Sequence, residues 1–140
     1  MRLIGITGKA GSGKTTFSNG LAQKESIGVI HIDDIWEKIK RKYFKIAMES
    51  DGEGSKTKAN SKLKLAVYKN KIFFRLFMAL RSKLMEKDIS KEINRLENMG
   101  KRVIIIDDIF LQYQKCYKDI SLVFLMERPY LKRKNSLIER

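Results

Sequence analysis

The clearest indication of fold in this 140-residue sequence is the run Leu3-Ile4-Gly5-Ile6-Thr7-Gly8-Lys9-Ala10-Gly11-Ser12-Gly13-Lys14-Thr15. Residues 3–7 are apolar and mostly β-branched, which predicts a short buried strand. The glycines that follow predict a tight turn, and residues 14–24 have a helical pattern. The apolar face of this helix would hold Phe17, Leu21 and Ala22. A strand that enters a helix through a glycine-rich turn is typical of a parallel, helix-covered sheet.

Three further apolar runs continue this pattern along the chain. Strands are predicted at residues 29–32, 103–106 and 122–126, each buried on both faces. Between the second and third, residues 63–100 predict an amphipathic helical hairpin or one long helix, with apolar positions Leu80, Leu84, Ile89, Ile93 and Leu96. We therefore expect one α/β domain over residues 1–140, a three-layer αβα sandwich around a parallel sheet with four recognisable strands and no fifth.

The composition excludes several classes of protein. One cysteine and one histidine rule out a disulfide framework and a Cys/His metal cluster. The apolar runs are too short to cross a bilayer, so we expect a cytoplasmic protein with no membrane partner. The net charge is +14, and residues 38–87 carry fifteen basic and four acidic side chains. Such a segment either faces an anionic ligand or is a solvated lysine-rich surface.

Residues 8–15 match the pattern G-x-x-x-x-G-K-[ST] between a predicted strand and a predicted helix. In this context the backbone N–H groups form a nest for phosphate oxygens, at the positive end of the helix dipole. Lys14 is expected to bridge the β- and γ-phosphates, and the Thr15 hydroxyl to ligate Mg²⁺. The motif therefore predicts ATP and Mg²⁺ as cofactors. The predicted nucleotide-binding residues are Gly8, Lys9, Ala10, Gly11, Ser12, Gly13, Lys14, Thr15 and Thr16.

Aspartates follow the second and third predicted strands. The carboxyl ends of parallel strands meet at one edge of a sheet, so we expect Asp33 and Asp107 near the phosphate-binding loop. Asp33 is a candidate catalytic carboxylate that orients an acceptor hydroxyl; alternatively it caps a helix starting at Ile35, for which Asp34 is the better cap. Asp107 either holds a Mg²⁺-bound water or ends its strand without a role.

Other single residues have a functional and a structural interpretation. For His31 the alternatives are a contact with substrate and a structural role. For Trp36 they are stacking on a base and packing in the core, and we favour core packing. Arg133 and Arg140, seven apart in a basic stretch, either face the phosphates or line a solvated helix. Cys116 lacks a basic partner at recognisable spacing and is expected to be inert.

The opening residues 1–8, the loop 11–15 and the run Val29-Ile30-His31-Ile32-Asp33 resemble the start of dephospho-coenzyme A kinases. The stretch 101–111 is similar to their third strand, and the basic run 128–140 to the start of their lid. The resemblance implies transfer of the ATP γ-phosphoryl group to the ribose 3′-hydroxyl of dephospho-coenzyme A, with Asp33 and Lys14 as catalytic residues. It also implies an acceptor-binding helical insertion at 38–100 and a lid beginning at 127–140.

In such kinases a second lid arm and a fifth strand follow. For a chain that ends at Arg140 we therefore expect nucleotide binding mainly through the phosphates, with poor discrimination between ATP and GTP.

Two alternatives stay open. The run Asp33-Asp34-Ile35-Trp36 and the Gly-Lys-Thr-Thr end of the loop also resemble uridine-kinase-like nucleoside kinases, so the small-molecule substrate is dephospho-coenzyme A or a nucleoside. A nucleic-acid-binding protein is the alternative from another class, resting on the charge and on aromatics among lysines. A helical pattern favours core packing for these aromatics, which are Tyr43, Phe44, Tyr68, Phe73 and Phe74. We therefore disfavour nucleic acid as a partner. We also expect the protein to be a monomer.

Overall fold

A computed structural model describes residues 1–43 and 69–129 of the chain. Within them a four-stranded parallel sheet forms from β1 (Arg2–Thr7), β2 (Ile27–His31), β3 (Val103–Asp107) and β4 (Ile120–Leu125). The strand order is β2-β3-β1-β4, and every pairing is parallel. Parallel neighbours need crossover connections, which helices supply here. The α/β class and the parallel sheet predicted from the sequence are confirmed.

Three α-helices accompany the sheet: α1 (Lys14–Ala22), α2 (Ile32–Tyr43) and α3 (Lys71–Asn98). The Asn70 side chain caps α3 by accepting the N–H groups of Ile72 and Phe73, at 2.9 and 3.4 Å. Gly100 follows the end of α3 with a φ of +80°. Over 71–98 the prediction of one long helix is therefore confirmed, and residues 63–68 lie outside the described part of the chain. Two short 3₁₀ helices, Leu111–Tyr113 and Lys115–Asp119, join β3 to β4.

The sheet has helices on both faces. Because side chains alternate along a strand, the register that places Leu3 opposite Ile104 also places Ile30 and Ile106 on the same face. These residues pack against α2 and α3 in the main hydrophobic core. The opposite face carries His31 and Asp107 where each strand ends, and α1 lies against it. This is the expected three-layer arrangement.

The buried face of α1 differs from the predicted apolar face. Lys14 and Ser18 are the buried residues of α1, whereas Phe17 is 41% exposed. The reason is that Asp107 emerges from the sheet under α1, so the helix turns polar side chains inward to meet this carboxylate. The prediction that Phe17, Leu21 and Ala22 form the packing face is wrong.

β4 is an edge strand and not a buried one. Within the described residues it pairs with β1 alone, and its side chains from Leu122 to Leu125 are exposed. The prediction that every strand is covered on both faces is therefore wrong for β4. Ile120 alone among its apolar residues packs against the core cluster. Among the described helices none is both long and apolar enough to cross a membrane.

Candidate functional site

The loop between β1 and α1 has the backbone conformation that its glycines allow. Gly13 adopts a φ of +95° immediately before the first residue of α1, a conformation that side-chain-bearing residues rarely adopt. A side chain on Gly8 would place its Cβ 2.2 Å from the Met126 carbonyl oxygen. The Ser12 N–H donates to the Lys9 carbonyl at 3.2 Å and closes a tight turn. The loop therefore leads directly into the N-terminus of α1, where unpaired backbone N–H groups collect.

Two polar side chains of this loop are buried. Lys14 is 8% exposed, and its Nζ donates to the Lys9 carbonyl at 3.1 Å. Ser12 is 5% exposed, and its hydroxyl has no hydrogen-bond partner among the residues that the structure describes. A buried hydroxyl without a partner is costly, and a phosphate oxygen in the loop would accept its hydrogen bond. The buried cation and the unsatisfied donor both fit an anionic ligand.

Asp107, at the end of β3, collects three donors on one oxygen. Its Oδ2 lies 3.5 Å from the Thr15 hydroxyl, 3.4 Å from the Ser18 hydroxyl and 3.1 Å from His31 Nδ1. Carboxylate and hydroxyl oxygens are ligands that Mg²⁺ accepts. The described residues hold no group of three acidic, histidine or cysteine side chains that would bind a metal by itself. Asp107 and Thr15 therefore fit an ion that takes its other ligands from phosphate and water, as Mg²⁺ does.

His31 connects Asp107 to α1. Its Nδ1 faces Asp107, and its Nε2 lies 2.9 Å from the Asn19 side-chain oxygen. The hydrogen bond to Asp107 raises the pKa of His31, and partial burial opposes this rise. Protonated His31 donates from both nitrogens. The structure thus favours the structural role among the two interpretations of His31. Asn19 was not singled out from the sequence, although its position one turn after Thr15 places it on the same helix face.

The raised pKa of His31 predicts a pH-dependent stability. Protonated His31 stabilises the folded state fully below its unfolded pKa of about 6.5, and this contribution is lost as the pH rises through the higher folded value. We expect the urea-unfolding free energy of wild type to fall relative to His31→Gln as the pH rises above about 6.5 and through the higher folded pKa of His31. An identical pH dependence in both proteins would contradict the Asp107–His31 interaction.

Asp33 and Asp34 lie in the first turn of α2, which begins at Ile32. The prediction that a helix starts at Ile35 with Asp34 as its cap is therefore wrong. β2 is shifted as well, because it ends at His31. Carboxylates in a first turn face the positive end of the helix dipole, which explains how α2 can start before them.

The Asp33 carboxylate stands among charges of both signs. Loss of hydration raises its pKa, and so do the charges of Asp108 and Asp107, whereas Arg81 and Lys14 act in the opposite direction. Because its side chain is 70% exposed, water screens these effects and the Asp33 carboxyl group is accessible from the cleft.

A cleft of about 300 Å³ joins these side chains at the carboxyl edge of the sheet. Its lining residues are Thr15, Asn19, His31, Asp33, Asp34 and Asp107. The structure thus brings together three predicted site residues, one each from the glycine-rich motif 8–15, α2 and β3. Asp108, next to Asp107, does not line the cleft, because successive residues of a strand point to opposite faces.

Several other predicted residues lie away from the cleft or outside the described chain. Trp36 packs against the core and meets Phe77 edge-on at 6.0 Å, which confirms core packing. Cys116 is half-buried, and burial raises the pKa of its thiol to about 11, as expected for an inert thiol. Arg133 and Arg140, with the lid segment 130–140, lie outside the described residues.

The aromatic residues of the basic segment divide into two groups. Phe74 contacts Phe110 and Tyr113 edge-on, with ring centroids 5.7 Å apart in both pairs, as core packing predicts. Phe73 is 61% exposed, so the same prediction is wrong for it. Phe44, Tyr68 and the side chain of Tyr43 lie outside the described residues.

Arg81, in α3, is the buried charge that the sequence did not single out. It is 4% exposed, and its Nη1 and Nη2 donate to the two oxygens of Asp108 at 3.2 and 3.4 Å. Gln114 Nε2 also donates to Asp108, at 2.6 Å. No local pattern marks Arg81, because its partners come from other elements of the fold.

The sequence matches no protein-family model and no curated protein. Among solved structures, the crystal structure of TT1252 from Thermus thermophilus superposes with a TM-score of 0.68 at 20% sequence identity. The superposition covers 99% of this chain and 72% of that chain. At this identity the similarity concerns the architecture of the chain. It agrees with the α/β fold and the parallel sheet of the described residues.

Proposed function

We propose that this protein is an ATP- and Mg²⁺-dependent kinase that phosphorylates an alcohol. The observation that carries the proposal is the single cleft in which Thr15 and Asp107 stand beside Asp33. Phosphoryl transfer needs a phosphate cradle, a cation site and a group that orients the attacking oxygen. The described residues offer all three at one edge of the sheet.

The donor half of the site uses residues 8–15. Backbone N–H groups of this loop and of the start of α1 bind phosphate oxygens, and the Ser12 hydroxyl donates one further hydrogen bond. The Lys14 ammonium, which donates to the Lys9 carbonyl, would donate to the phosphates when nucleotide is bound. Thr15 and Asp107 would hold Mg²⁺, and the ion would supply positive charge that stabilises the transferred phosphoryl group.

The acceptor half of the site uses Asp33. Its carboxylate is exposed to the cleft and accepts a hydrogen bond from the acceptor hydroxyl, which aims the oxygen at the phosphorus. Since little proton transfer is needed before bond formation in a loose transition state, the main role of Asp33 is orientation. Asp34 is one residue further along α2 and keeps the mouth of the cleft acidic.

The acceptor that we propose is the ribose 3′-hydroxyl of dephospho-coenzyme A, as the resemblance of residues 1–35 implies. The test is ADP release with ATP and Mg²⁺ over a panel of dephospho-coenzyme A, uridine, cytidine and nucleoside monophosphates. Turnover of dephospho-coenzyme A alone supports the proposal. Turnover of uridine alone supports the nucleoside-kinase alternative, and ATP binding without turnover of any acceptor contradicts both.

The salt dependence of acceptor binding distinguishes dephospho-coenzyme A from uridine without a turnover measurement. Dephospho-coenzyme A carries a pyrophosphate, and α2 and α3 supply the basic side chains Lys38, Arg41, Lys71, Arg75 and Lys83. The Debye length falls from about 10 Å at 0.1 M salt to about 3 Å at 1 M. We expect the Kd of dephospho-coenzyme A to rise steeply over this range, while binding of uncharged uridine stays nearly constant. Salt-independent binding of dephospho-coenzyme A would contradict the use of these cations.

A cytoplasmic location accompanies this proposal. ATP and coenzyme A precursors are cytoplasmic metabolites, and a half-buried free cysteine needs no oxidising compartment. The nucleic-acid alternative predicts binding to random DNA that falls steeply with salt and competes with ATP. Phe73, which is 61% exposed, is the aromatic residue of segment 38–87 that would offer the larger ring surface for stacking on a base, and Phe77 is 37% exposed.

A further inference from the structure

The guanidinium of Arg81 lies between two carboxylates. Its Nη2 is 3.4 Å from Asp108 Oδ1 and 3.6 Å from Asp33 Oδ1. The two carboxylates differ sharply, since the Asp108 side chain is fully buried and that of Asp33 is 70% exposed. The Nη2 atom of Arg81 thus lies between a buried carboxylate and a carboxylate that is exposed to the cleft.

Arg81 is held rigidly. Both terminal nitrogens of Arg81 donate hydrogen bonds to Asp108. The ring centroids of Trp36 and Phe110 lie 5.6 and 5.9 Å from the guanidinium carbon. Asp108 is in turn held by Gln114 and by the N–H of Phe110 at 3.2 Å. A cation with this many contacts has little freedom to move, so it restrains the exposed Asp33 side chain.

We propose that Arg81 is the positioning residue for Asp33: it holds the Asp33 carboxylate aimed into the cleft, and it acts on the reaction only through Asp33. This role rests on the proposed function of Asp33. Arg81 lies in α3, so it also connects α3 to the first turn of α2. If the role of Arg81 were only structural, it would bind the Asp108 carboxylate and have no effect on the titration or orientation of Asp33.

The first experiment needs no substrate. Side-chain ¹³C NMR follows the Asp33 carboxyl in a pH titration, with Asp33→Asn to assign the resonance. The charged groups that face Asp33 are Arg81 from α3, Lys14 from α1, and Asp107 and Asp108 from the end of β3. In Arg81→Met we expect the Asp33 pKa to rise, because the positive charge that favours the ionised carboxylate is lost. An Asp33 titration identical to wild type would overturn the proposal.

Two control variants separate this effect from damage to the core. Gln114→Met removes a hydrogen bond to Asp108 but touches no atom of Asp33, and Arg75→Met removes an exposed cation from the same helix. Neither should move the Asp33 titration. A shift in Gln114→Met as large as in Arg81→Met would assign the effect to the Asp108 network and overturn the proposal.

The second experiment uses turnover and a variant that keeps the charge. In Arg81→Lys, which also serves if Arg81→Met does not fold, an ammonium cannot satisfy both carboxylates, so kcat should fall by about 10-fold or more with the KM for ATP unchanged. In the Asp33→Asn background, Arg81→Lys should cause no further loss. If Arg81→Lys lowers kcat by the same factor in the Asp33→Asn background as in wild type, the proposal is overturned. If wild type turns over no acceptor, the proposed function fails, while the NMR titration still decides whether Arg81 holds Asp33.

Discussion

Replacing Lys14 by alanine is expected to raise the Kd for ATP by about 100-fold or more while the protein stays folded. The Lys14 ammonium is buried beside the loop, where charge-assisted hydrogen bonds to phosphate contribute about 1.5 to 3 kcal/mol each. Its hydrogen bond to the Lys9 carbonyl is a minor contribution to stability in comparison. Titration calorimetry with ATP and Mg²⁺ measures the loss, and circular dichroism verifies the fold.

Lys24→Ala is the matched control, because Lys24 is exposed just beyond the end of α1. It removes the same charge from the protein without touching the loop, so the Kd for ATP should stay close to wild type. Equal weakening in both variants would mean that net charge alone attracts the nucleotide. Unchanged ATP affinity in a folded Lys14→Ala protein would rule out nucleotide binding at residues 8–15.

Asp33→Asn is expected to lower turnover by about two to four orders of magnitude and to leave ATP binding nearly unchanged. The amide keeps the size of the side chain but loses the charge that orients the acceptor hydroxyl. It also loses the ion pair with Arg81, which adds to the effect on turnover. The measurement is kcat from ADP release together with the Kd for ATP from calorimetry.

Asp34→Asn is the control for Asp33, since the two residues share the first turn of α2 and the same cleft. Either substitution costs the helix about 0.3 to 1 kcal/mol of dipole interaction. Only the loss of Asp33 should reduce turnover by orders of magnitude. If Asp33→Asn reduces stability and not turnover, the role of Asp33 is to stabilise α2, and another group orients the acceptor.

The secondary structure was largely predictable because its signals are local. Strand positions agree to within two residues at each predicted start, and the loop 8–15 follows from glycine spacing alone. The start of α2 was not predictable, since Asp33 and Asp34 look like capping residues but lie inside the first turn. The end of β2 was placed too late for the same reason. Helix boundaries depend on which N–H groups find partners in the fold.

The site was predictable where topology alone brings residues together. Asp33, Asp107 and Thr15 share a cleft because all three follow strands of one parallel sheet. Arg81 and Gln114 were not predictable, because Arg81 reaches Asp108 from α3 and Gln114 reaches it from the link between the two 3₁₀ helices, and no motif marks either residue. The roles assigned to these residues stay predictions until the variants are measured.

Periodicity and glycine spacing act over a few residues, so the α/β class, the glycine-rich loop 8–15 and the sheet edge at which the aspartates gather were predictable from the sequence. Which aspartate faces Thr15 depends on tertiary contacts. Asp107 and Asp108 are neighbours in sequence, yet one points toward α1 and the other toward Arg81. Strand alternation separates the two side chains, and the register of β3 against β1 and β2 decides which face each side chain joins. That register depends on contacts between residues far apart in the chain.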